Sequence, residues 1–340
     1  MTVRIYLSTD VGAPTLNGTA GSIIAVLDAC LVNGYGSRLP MGWTKEFSSP
    51  SVGVYRALVG TRYYLRVDDA ATFVTANNCL VRAFETMSDV NTGTNTFPKV
   101  AQLTNGIQIS KSSTIDATAR GWCIVAHERS FYFLGTHASS AAFTWATMYV
   151  TVMNATSQFF FGEILSFKDS DIYNSFLFTN LQDSTGISNT TWGVVQTGHY
   201  GARNAEGTLV SHGTGKIFAH TAIPGSVIGS GISGETSNRF PELTTAEGGL
   251  GAIEVIEHAA VSGTPLQFRG RMPGLWGGNT GFTPNGHTVE AATQRQGPAL
   301  AIEGRGLYAG RTYMPVILGY NGSSAVSVGW IELTDNWYSL

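Results

Sequence analysis

The stretch Thr61–Pro98, TRYYLRVDDAATFVTANNCLVRAFETMSDVNTGTNTFP, decides the fold that we expect of this chain. Its first run, Arg62–Asp69, and its second run, Cys79–Thr86, both alternate between two sets of side chains, as β-strands do. In the first run the two sets are Tyr63, Leu65 and Val67, and Tyr64, Arg66 and Asp68. Strands with charged residues beside aromatic ones are typical of a sheet that has one face on a core and the other towards water or a partner.

Upstream of this stretch, Ser22–Asn33 is predicted to form one buried helix. Ser22 is placed where an N-cap belongs, and Gly34 is a suitable C-cap residue. Apolar residues recur at four-residue spacing and cover most of the circumference, which indicates a helix that is buried on most sides. These residues are Ile23, Val26, Leu27, Cys30 and Leu31.

Downstream, the clearest signal is a β-hairpin over Ala119–Thr136 that turns near Glu128–Arg129. Thr144–Met153 and Gln158–Phe167 follow as strands, and the second contains three consecutive phenylalanines, Phe159–Phe161. Such an apolar run indicates a strand that is buried on both faces or covered by another chain. The segment Asp169–Leu177 is compatible with either a short helix or a further strand.

The composition changes near Asn180–Ala205, where Gly, Ser, Thr and Asn crowd together, and this change predicts a domain boundary. The expected fold class is α+β and mainly β. Residues 1–190 would form a mixed α+β domain with one buried helix, and residues 205–340 a β-sandwich or barrel domain. The short strands expected in the second part are Thr208–His212, Lys216–Thr221, Gly251–His258, Thr264–Arg269, Thr312–Leu318 and Ala325–Leu333.

Composition excludes several classes of function. Charged residues make up 13% of the chain, against roughly 25% in an ordinary soluble domain, and no cluster of Lys and Arg exists to bind a phosphate backbone. No apolar run approaches the roughly 20 residues that a membrane helix needs, and the opening residues lack the apolar core of a secretory signal. The three cysteines, Cys30, Cys79 and Cys123, are widely spaced in apolar runs and are expected to be buried, reduced thiols.

One glycine pattern resembles a dinucleotide-binding loop. Gly229, Gly231 and Gly234 match GxGxxG. That motif requires a helix after the glycines, whose N-terminus meets the pyrophosphate. The following segment Glu235–Pro241 cannot continue as a long apolar helix, so we interpret the match as chance in a glycine-rich chain.

The seven histidines show no metal-ligand spacing, since neither HxH nor HExxH occurs. His212 and His220 could meet across a hairpin, and a three-fold axis could gather copies of either around a metal ion. Hydrogen-bonded strand histidines are the favoured interpretation. Because the GxSxG turn of serine hydrolases is also missing, the sequence predicts no catalytic residues, no cofactor and no metal site.

Two pairs of carboxylates invite comparison with glycoside hydrolases or calcium sites. Asp68 and Asp69 are adjacent in a strand, so they point to opposite faces and cannot serve one substrate. Asp169 and Asp171 could share a face, but a role in a loop or an N-cap is favoured by ordinary turn chemistry.

The most distinctive surface candidate is Phe268–Phe282, FRGRMPGLWGGNTGF. Trp276 lies between glycines, so its ring could stand clear of the backbone, and Arg269 and Arg271 point the same way in an extended strand. An exposed Trp beside Arg is the composition of an interface anchor, and a Trp packed over a core is an equally supported alternative. The interface candidates are therefore Arg269, Arg271 and Trp276, with Tyr64, Arg66 and Asp68 as a second set.

Four phrases of the sequence resemble a group of tailed-bacteriophage virion structural proteins. The phrases are YYLRVDD at 63–69, VRAFETMSDVNTGTNTFP at 81–98, RGWCIVAHERSFYFL at 120–134 and RGRMPGLWGG at 269–278. The resemblance implies a non-enzymatic subunit of the virion, made and assembled in the bacterial cytoplasm. Its partners would be other virion proteins and copies of itself, with no nucleic acid and no membrane insertion.

The resemblance carries no catalytic residues and does not fix the position in the particle. An adaptor at the tail end, in the baseplate, tail tip or fibre attachment, suits a compact two-domain β protein. A capsid-surface decoration protein is the alternative within the structural class. A glycan-binding or glycan-cleaving receptor protein, using Trp276 and the Asp pairs, is the alternative from another class.

Overall fold

A computed structural model describes residues 2–70, 77–100, 104–136, 157–180, 199–209, 217–221, 251–257, 267–277, 302–303, 309–321, 325–335 and 337–338. Strands dominate, and the described residues contain one helical segment, which confirms the predicted α+β, mainly β class. In chain order the elements are β1 (Arg4–Leu7), α1 (Ser22–Leu27), which continues as a π-helix (Asp28–Asn33), β2 (Thr44–Ser49), β3 (Val52–Arg56), β4 (Tyr64–Asp68), β5 (Asn78–Met87), β6 (Gly93–Phe97), β7 (Ile107–Ser110), β8 (Gly121–His127), β9 (Ser130–Thr136), β10 (Ser157–Glu163), β11 (Leu165–Ser166), β12 (Ser175–Asn180), β13 (His199–Gly201), β14 (Ile217–Thr221), β15 (Gly251–Glu257), β16 (Gln267–Gly277), β17 (Ile302–Glu303), β18 (Thr312–Asn321) and β19 (Ala325–Glu332).

The first sheet contains the stretch that opens the sequence analysis. Its strands are antiparallel in the order β2-β3-β4-β5-β6, and β7 pairs with the first half of β5. The predicted alternation of β4 is confirmed, because Leu65 and Val67 pack in the main core while Tyr64 lies in a small separate cluster on the outer face.

The central sheet has the order β1-β8-β9-β10-β12-β13, and every strand is antiparallel to its neighbour. The β8–β9 hairpin confirms the prediction over Ala119–Thr136. Both faces of this sheet are apolar. Trp122 and Phe161 belong to the cluster shared with the helix and the first sheet, whereas Cys123 and Phe160 belong to a second cluster on the other side. The prediction that the Phe159–Phe161 run is buried on both faces is therefore confirmed.

The third sheet has the order β14-β15-β16-β19-β18-β17, and β11 pairs with β16. Side chains of its strands, such as Met272, Met314 and Ile331, join the second cluster of the central sheet together with Val3 and Leu7. Residues from both sides of the predicted domain boundary thus contribute to one core cluster. The division itself, and a separate sandwich or barrel, stay predictions because residues 181–198 lie outside the described part.

The helix confirms its predicted burial and its predicted C-cap, Gly34, but not its predicted N-cap. Ser22 is the first helical residue, and its hydroxyl donates to the Asn17 carbonyl at 2.8 Å. The free helical amide of Ile23 donates instead to Asp69 Oδ2 at 3.1 Å, so a carboxylate at the end of β4 caps the helix. Asp69 forms a fully buried ion pair of 2.5 Å with Lys111.

Several smaller expectations have clear outcomes. The segment expected to begin a helix or strand at Asp169 is a loop up to Asn174, after which β12 begins at Ser175. The cysteines are buried and free, as predicted. The strand predicted at Thr144–Met153 and most of Thr208–His212 lie outside the described residues. No helix among the described residues is both long and apolar enough to span a membrane.

The helix makes a direct prediction about stability. Leu27 is fully buried in the main core, so Leu27→Ala should lower the free energy of unfolding by about 2–5 kcal/mol through lost contacts and a residual cavity. Urea denaturation measures the change. Val11→Ala, at an aliphatic residue that is 90% exposed, should leave stability nearly unchanged. Equal effects of the two substitutions would contradict the burial of the helix.

The central sheet also predicts a pH dependence. His127, at the end of β8, is buried, and this burial together with the Arg129 guanidinium lowers its pKa from 6.5 to about 4. Between these values the unfolded chain binds the proton and the folded chain does not, so the contribution of His127 to stability is lost as the pH falls from 6.5 to 4. The predicted loss is at most about 3 kcal/mol.

The matched variant is His127→Asn. Its amide oxygen can accept the hydrogen bond that the backbone N–H of Arg129 donates to Nδ1 of His127. Unfolding free energies of both proteins across this pH range give the contribution of His127 as the difference between the two slopes. Parallel slopes would show that His127 is protonated equally in the folded and unfolded states.

Candidate functional site

Arg269 and Arg271, two of the predicted interface residues, are engaged within the chain. Arg269 is 2% exposed and forms a 2.9 Å ion pair with Asp171, whose side chain is equally buried. The Arg271 guanidinium lies 5.4 Å from the centroid of the Phe167 ring. Arg269 is therefore part of the interior, and Arg271 is the arginine of this segment that comes closer to the surface.

Trp276 packs against the second core cluster. Its Nε1 donates to Glu332 Oε2 at 3.2 Å, and the Arg311 guanidinium lies 6.0 Å from its ring centroid. Across the strand pair, Trp276 faces Trp330. This placement matches the alternative in which the tryptophan covers a core, and its role as an interface anchor stays a prediction.

The second set of interface candidates lies together on the outer face of the first sheet. The Arg56 guanidinium covers the Tyr64 ring at 4.7 Å, and Arg66 donates to Asp68 at 2.9 Å and to the Val90 carbonyl at 2.8 Å. These groups satisfy one another within the chain. Tyr64 itself is largely covered.

Other sequence candidates have less structural information. The glycines of the GxGxxG match and four histidines, His137, His212, His258 and His287, lie outside the described residues, and the side chain of His220 does too. Asp68 and Asp69 point to opposite sides of β4, as predicted, since they pair with Arg66 and Lys111 respectively. Within the described residues, no group of His, Cys, Asp and Glu is arranged to hold a metal ion.

The structure contains an open cleft of about 800 Å³ that the sequence did not reveal, which we name the Glu163 cleft. It lies where the first sheet, the end of β10, the loop before β12 and the C-terminal residues meet. Its walls combine charged and aromatic side chains with hydroxyl and amide groups. The lining side chains include Tyr63, Glu85, Thr86, Arg129, Glu163, Ser166, Lys168, Asp169, Asp171, Tyr173, Asn174, Arg203 and Tyr338.

Glu163 ends β10 and anchors the cleft. Its Oε1 accepts a short hydrogen bond from the Thr61 amide, and Arg129 approaches Oε2 at 3.4 Å. Its backbone carbonyl accepts from the Tyr338 hydroxyl at 2.8 Å. Burial raises the pKa of Glu163, and the bonds from Thr61 and Arg129 oppose that rise. Glu163 thus ties three separate parts of the chain together.

Glu85 and Arg203 form the second charged pair of the cleft. The guanidinium binds the carboxylate through two nitrogens, at 2.6 and 3.0 Å, which is the fork geometry of a strong ion pair. Tyr63 and Asn95 also donate to this carboxylate, at 3.1 and 2.5 Å. The Arg203 guanidinium in turn lies 5.3 Å from the centroid of the Tyr173 ring.

The outer wall is the loop between β11 and β12. Asp171 holds it by accepting from Ser166 at 2.7 Å and from the Tyr173 amide at 3.0 Å, besides its ion pair with Arg269. Asp169 is exposed on the same loop. The favoured loop role of Asp171 is therefore confirmed, and the pair cannot present two free carboxylates to one bond.

The chemistry of the cleft follows from this pairing. Glu163, Glu85 and Asp171 each contact a guanidinium, so the cleft carries planar polar groups with little net charge. Paired groups of this kind can form hydrogen bonds with a polar ligand. The sequence carried no signal for the cleft, because Glu85 and Glu163 are far apart in the chain and belong to no motif.

No protein-family model matches the sequence of this chain, and no curated protein matches it significantly. The geometry of the chain and the resemblance of the quoted phrases are therefore the observations from which function is proposed. Neither the geometry nor the resemblance identifies a chemical reaction.

The cleft predicts a specific requirement for glycine at position 60. Gly60 has φ of 74°, and a Cβ there would lie 1.9 Å from Glu163 Oε1, whereas Gly42 has φ of 91° with open space around it. Both Gly→Ala substitutions strain the backbone, but only Gly60→Ala displaces Glu163 from its buried bonds. Gly60→Ala should cost at least about 1 kcal/mol more than Gly42→Ala in urea denaturation. Equal costs would mean that Glu163 moves freely.

Proposed function

We propose that the chain is a structural subunit of a tailed-bacteriophage virion, an adaptor at the tail end that works by binding copies of itself and other virion proteins. Support comes from the resemblance of the quoted phrases, from the mainly β fold and from the charged content of 13%. A surface with little charge suits a subunit whose faces are covered by neighbours.

The observation that carries the proposal is a pair of adjoining loops, which we name the Val11–Leu39 surface. The side chain of Val11 is 90% exposed and that of Leu39 is 63% exposed. The two loops touch, because the Gly36 amide lies 3.3 Å from the position of a Cβ on Gly12. Two large aliphatic side chains thus face solvent from one part of the molecule.

These loops are rigidly held by Asp10. Its carboxylate accepts from Arg38 at 2.6 and 2.9 Å, from the Tyr35 hydroxyl at 2.8 Å and from the Leu7 amide at 3.0 Å. Burial alone would raise the pKa of Asp10, but these hydrogen bonds, led by Arg38, lower it. The carboxylate therefore stays ionised at neutral pH and the loops stay joined.

Rigid display of apolar side chains favours assembly. Each square ångström of apolar surface removed from water contributes about 25 cal/mol, and a surface that is already ordered loses little entropy on binding. Because the side chains of Val11 and Leu39 are exposed, they add little buried apolar surface to the isolated chain. What distinguishes them from other exposed aliphatic side chains is their place on two adjoining loops held by Asp10, and we propose that a neighbouring subunit covers this surface.

The same surface would serve a capsid decoration protein, which is the second position that we consider. Copy number separates the two, because tail components occur in a few to a few dozen copies and decoration proteins in hundreds. We also propose that the chain is not an enzyme. Support for this is the buried ion pair of Asp171, which occupies one of the carboxylates that the sequence offered for glycoside cleavage.

The test is a double substitution, Val11→Asp with Leu39→Asp. The variant should keep the circular dichroism spectrum and melting temperature of the wild type, because both side chains are exposed. It should be missing from, or at least tenfold depleted in, phage particles purified from cells that express it in place of the wild type. Mass spectrometry of the particles measures both incorporation and copy number.

The matched control is Val100→Asp with Ile115→Asp, two exposed aliphatic residues on other loops. This control should enter particles normally. A wild-type chain that is missing from purified particles would overturn the virion proposal. Normal incorporation of the Val11/Leu39 variant would instead show that assembly uses another surface.

A further inference from the structure

We propose that the Glu163 cleft binds a neutral oligosaccharide, held by its hydroxyl groups. This function is separate from assembly, because the cleft and the Val11–Leu39 surface share no residue. The volume of about 800 Å³ lies within the range of ligand sites in proteins.

The charge balance of the walls selects a neutral ligand. Glu85 with Arg203 and Glu163 with Arg129 are paired carboxylates and guanidiniums, and the rim adds Lys168 beside Asp169. An anion in the cleft would be repelled by the carboxylates, and a metal cation would be repelled by the guanidiniums. A ligand without net charge is repelled by neither set of groups.

The polar groups of the cleft also offer donors and acceptors close together. A carboxylate only accepts hydrogen bonds and a guanidinium only donates them, whereas each sugar hydroxyl can do both. The Glu85 carboxylate is already used by Arg203, Tyr63 and Asn95, but Asp169 and Lys168 are exposed at the rim, where two neighbouring hydroxyls of a pyranose can bridge them. The hydroxyls of Tyr63, Tyr173 and Thr86 add groups of the same kind.

Apolar surface at the rim completes the match. Ile172 lines the cleft and is 64% exposed, and Phe167, on the same loop, is 45% exposed. Tyr173 follows Ile172 in the chain and also lines the cleft, with the Arg203 guanidinium 5.3 Å from its ring centroid. The C–H faces of sugar rings pack on such side chains while their hydroxyls reach the polar wall.

An extended peptide fits the cleft less well. Peptides that bind along a sheet need a strand with a free edge. β5, which supplies Glu85 and Thr86, is already paired with β4 on one side and with β6 and β7 on the other. Recognition along β5 must therefore come from side chains.

The experiment is a glycan array of neutral and acidic oligosaccharides probed with the full chain, followed by calorimetry with the best ligand. Two cleft variants, Asp169→Asn and Tyr173→Phe, remove one charge or one hydroxyl without disturbing the core. Each should raise Kd at least tenfold. The control is Glu206→Gln, because Glu206 is also exposed and neighbours Ala205, which binds Lys168, but does not line the cleft.

The expected result is binding of neutral oligosaccharides that the control retains and both cleft variants weaken. Failure to bind any glycan, preference for acidic glycans, or equal affinity in all variants would overturn the proposal. Selective capture from a peptide library in place of the glycans would overturn it in favour of a peptide site. Because the array uses the isolated chain, its outcome is independent of whether the chain enters virus particles.

Discussion

The structure depends on one constraint, which is that the central sheet is apolar on both faces. Side chains of β8, β9 and β10 alternate between two core clusters, so neither face can be left in water. The helix and the first sheet cover one face, and strands of the third sheet with the C-terminal residues cover the other. The Glu163 cleft opens where these coverings meet at the end of β10, which is why residues distant in sequence line it.

Polar contacts fix the position of the helix against the first sheet. Lys111 and Asp69 form an ion pair with no exposed surface, and Asp69 also accepts a hydrogen bond from the Ile23 amide in the first turn of the helix. Burial raises the pKa of Asp69 to about 6 even though the Lys111 ammonium opposes the rise. A buried pair of this kind adds little net stability, but either partner alone would be strongly destabilising. The pair therefore specifies where the helix lies against the first sheet.

Local patterns predicted the strands and the helix, because alternation and four-residue spacing report burial directly. The β8–β9 hairpin, the β4 faces and the run Phe159–Phe161 followed from such patterns. What the sequence could not supply were partners far apart in the chain. Asp69 replaced Ser22 as the cap, and Arg269 met Asp171 across almost a hundred residues. The Glu163 cleft is formed by residues that are far apart in the chain, so no residue spacing or sequence motif predicted it.

The most direct test of the central claim is amide hydrogen exchange of the isolated chain, read by mass spectrometry. The account predicts that β8, β9 and β10 exchange most slowly, through global unfolding alone, because both of their faces are covered. The edge strand β2, which has few buried side chains, should exchange much faster. Exchange in β8–β10 as fast as in β2 would contradict a central sheet that is buried on both faces.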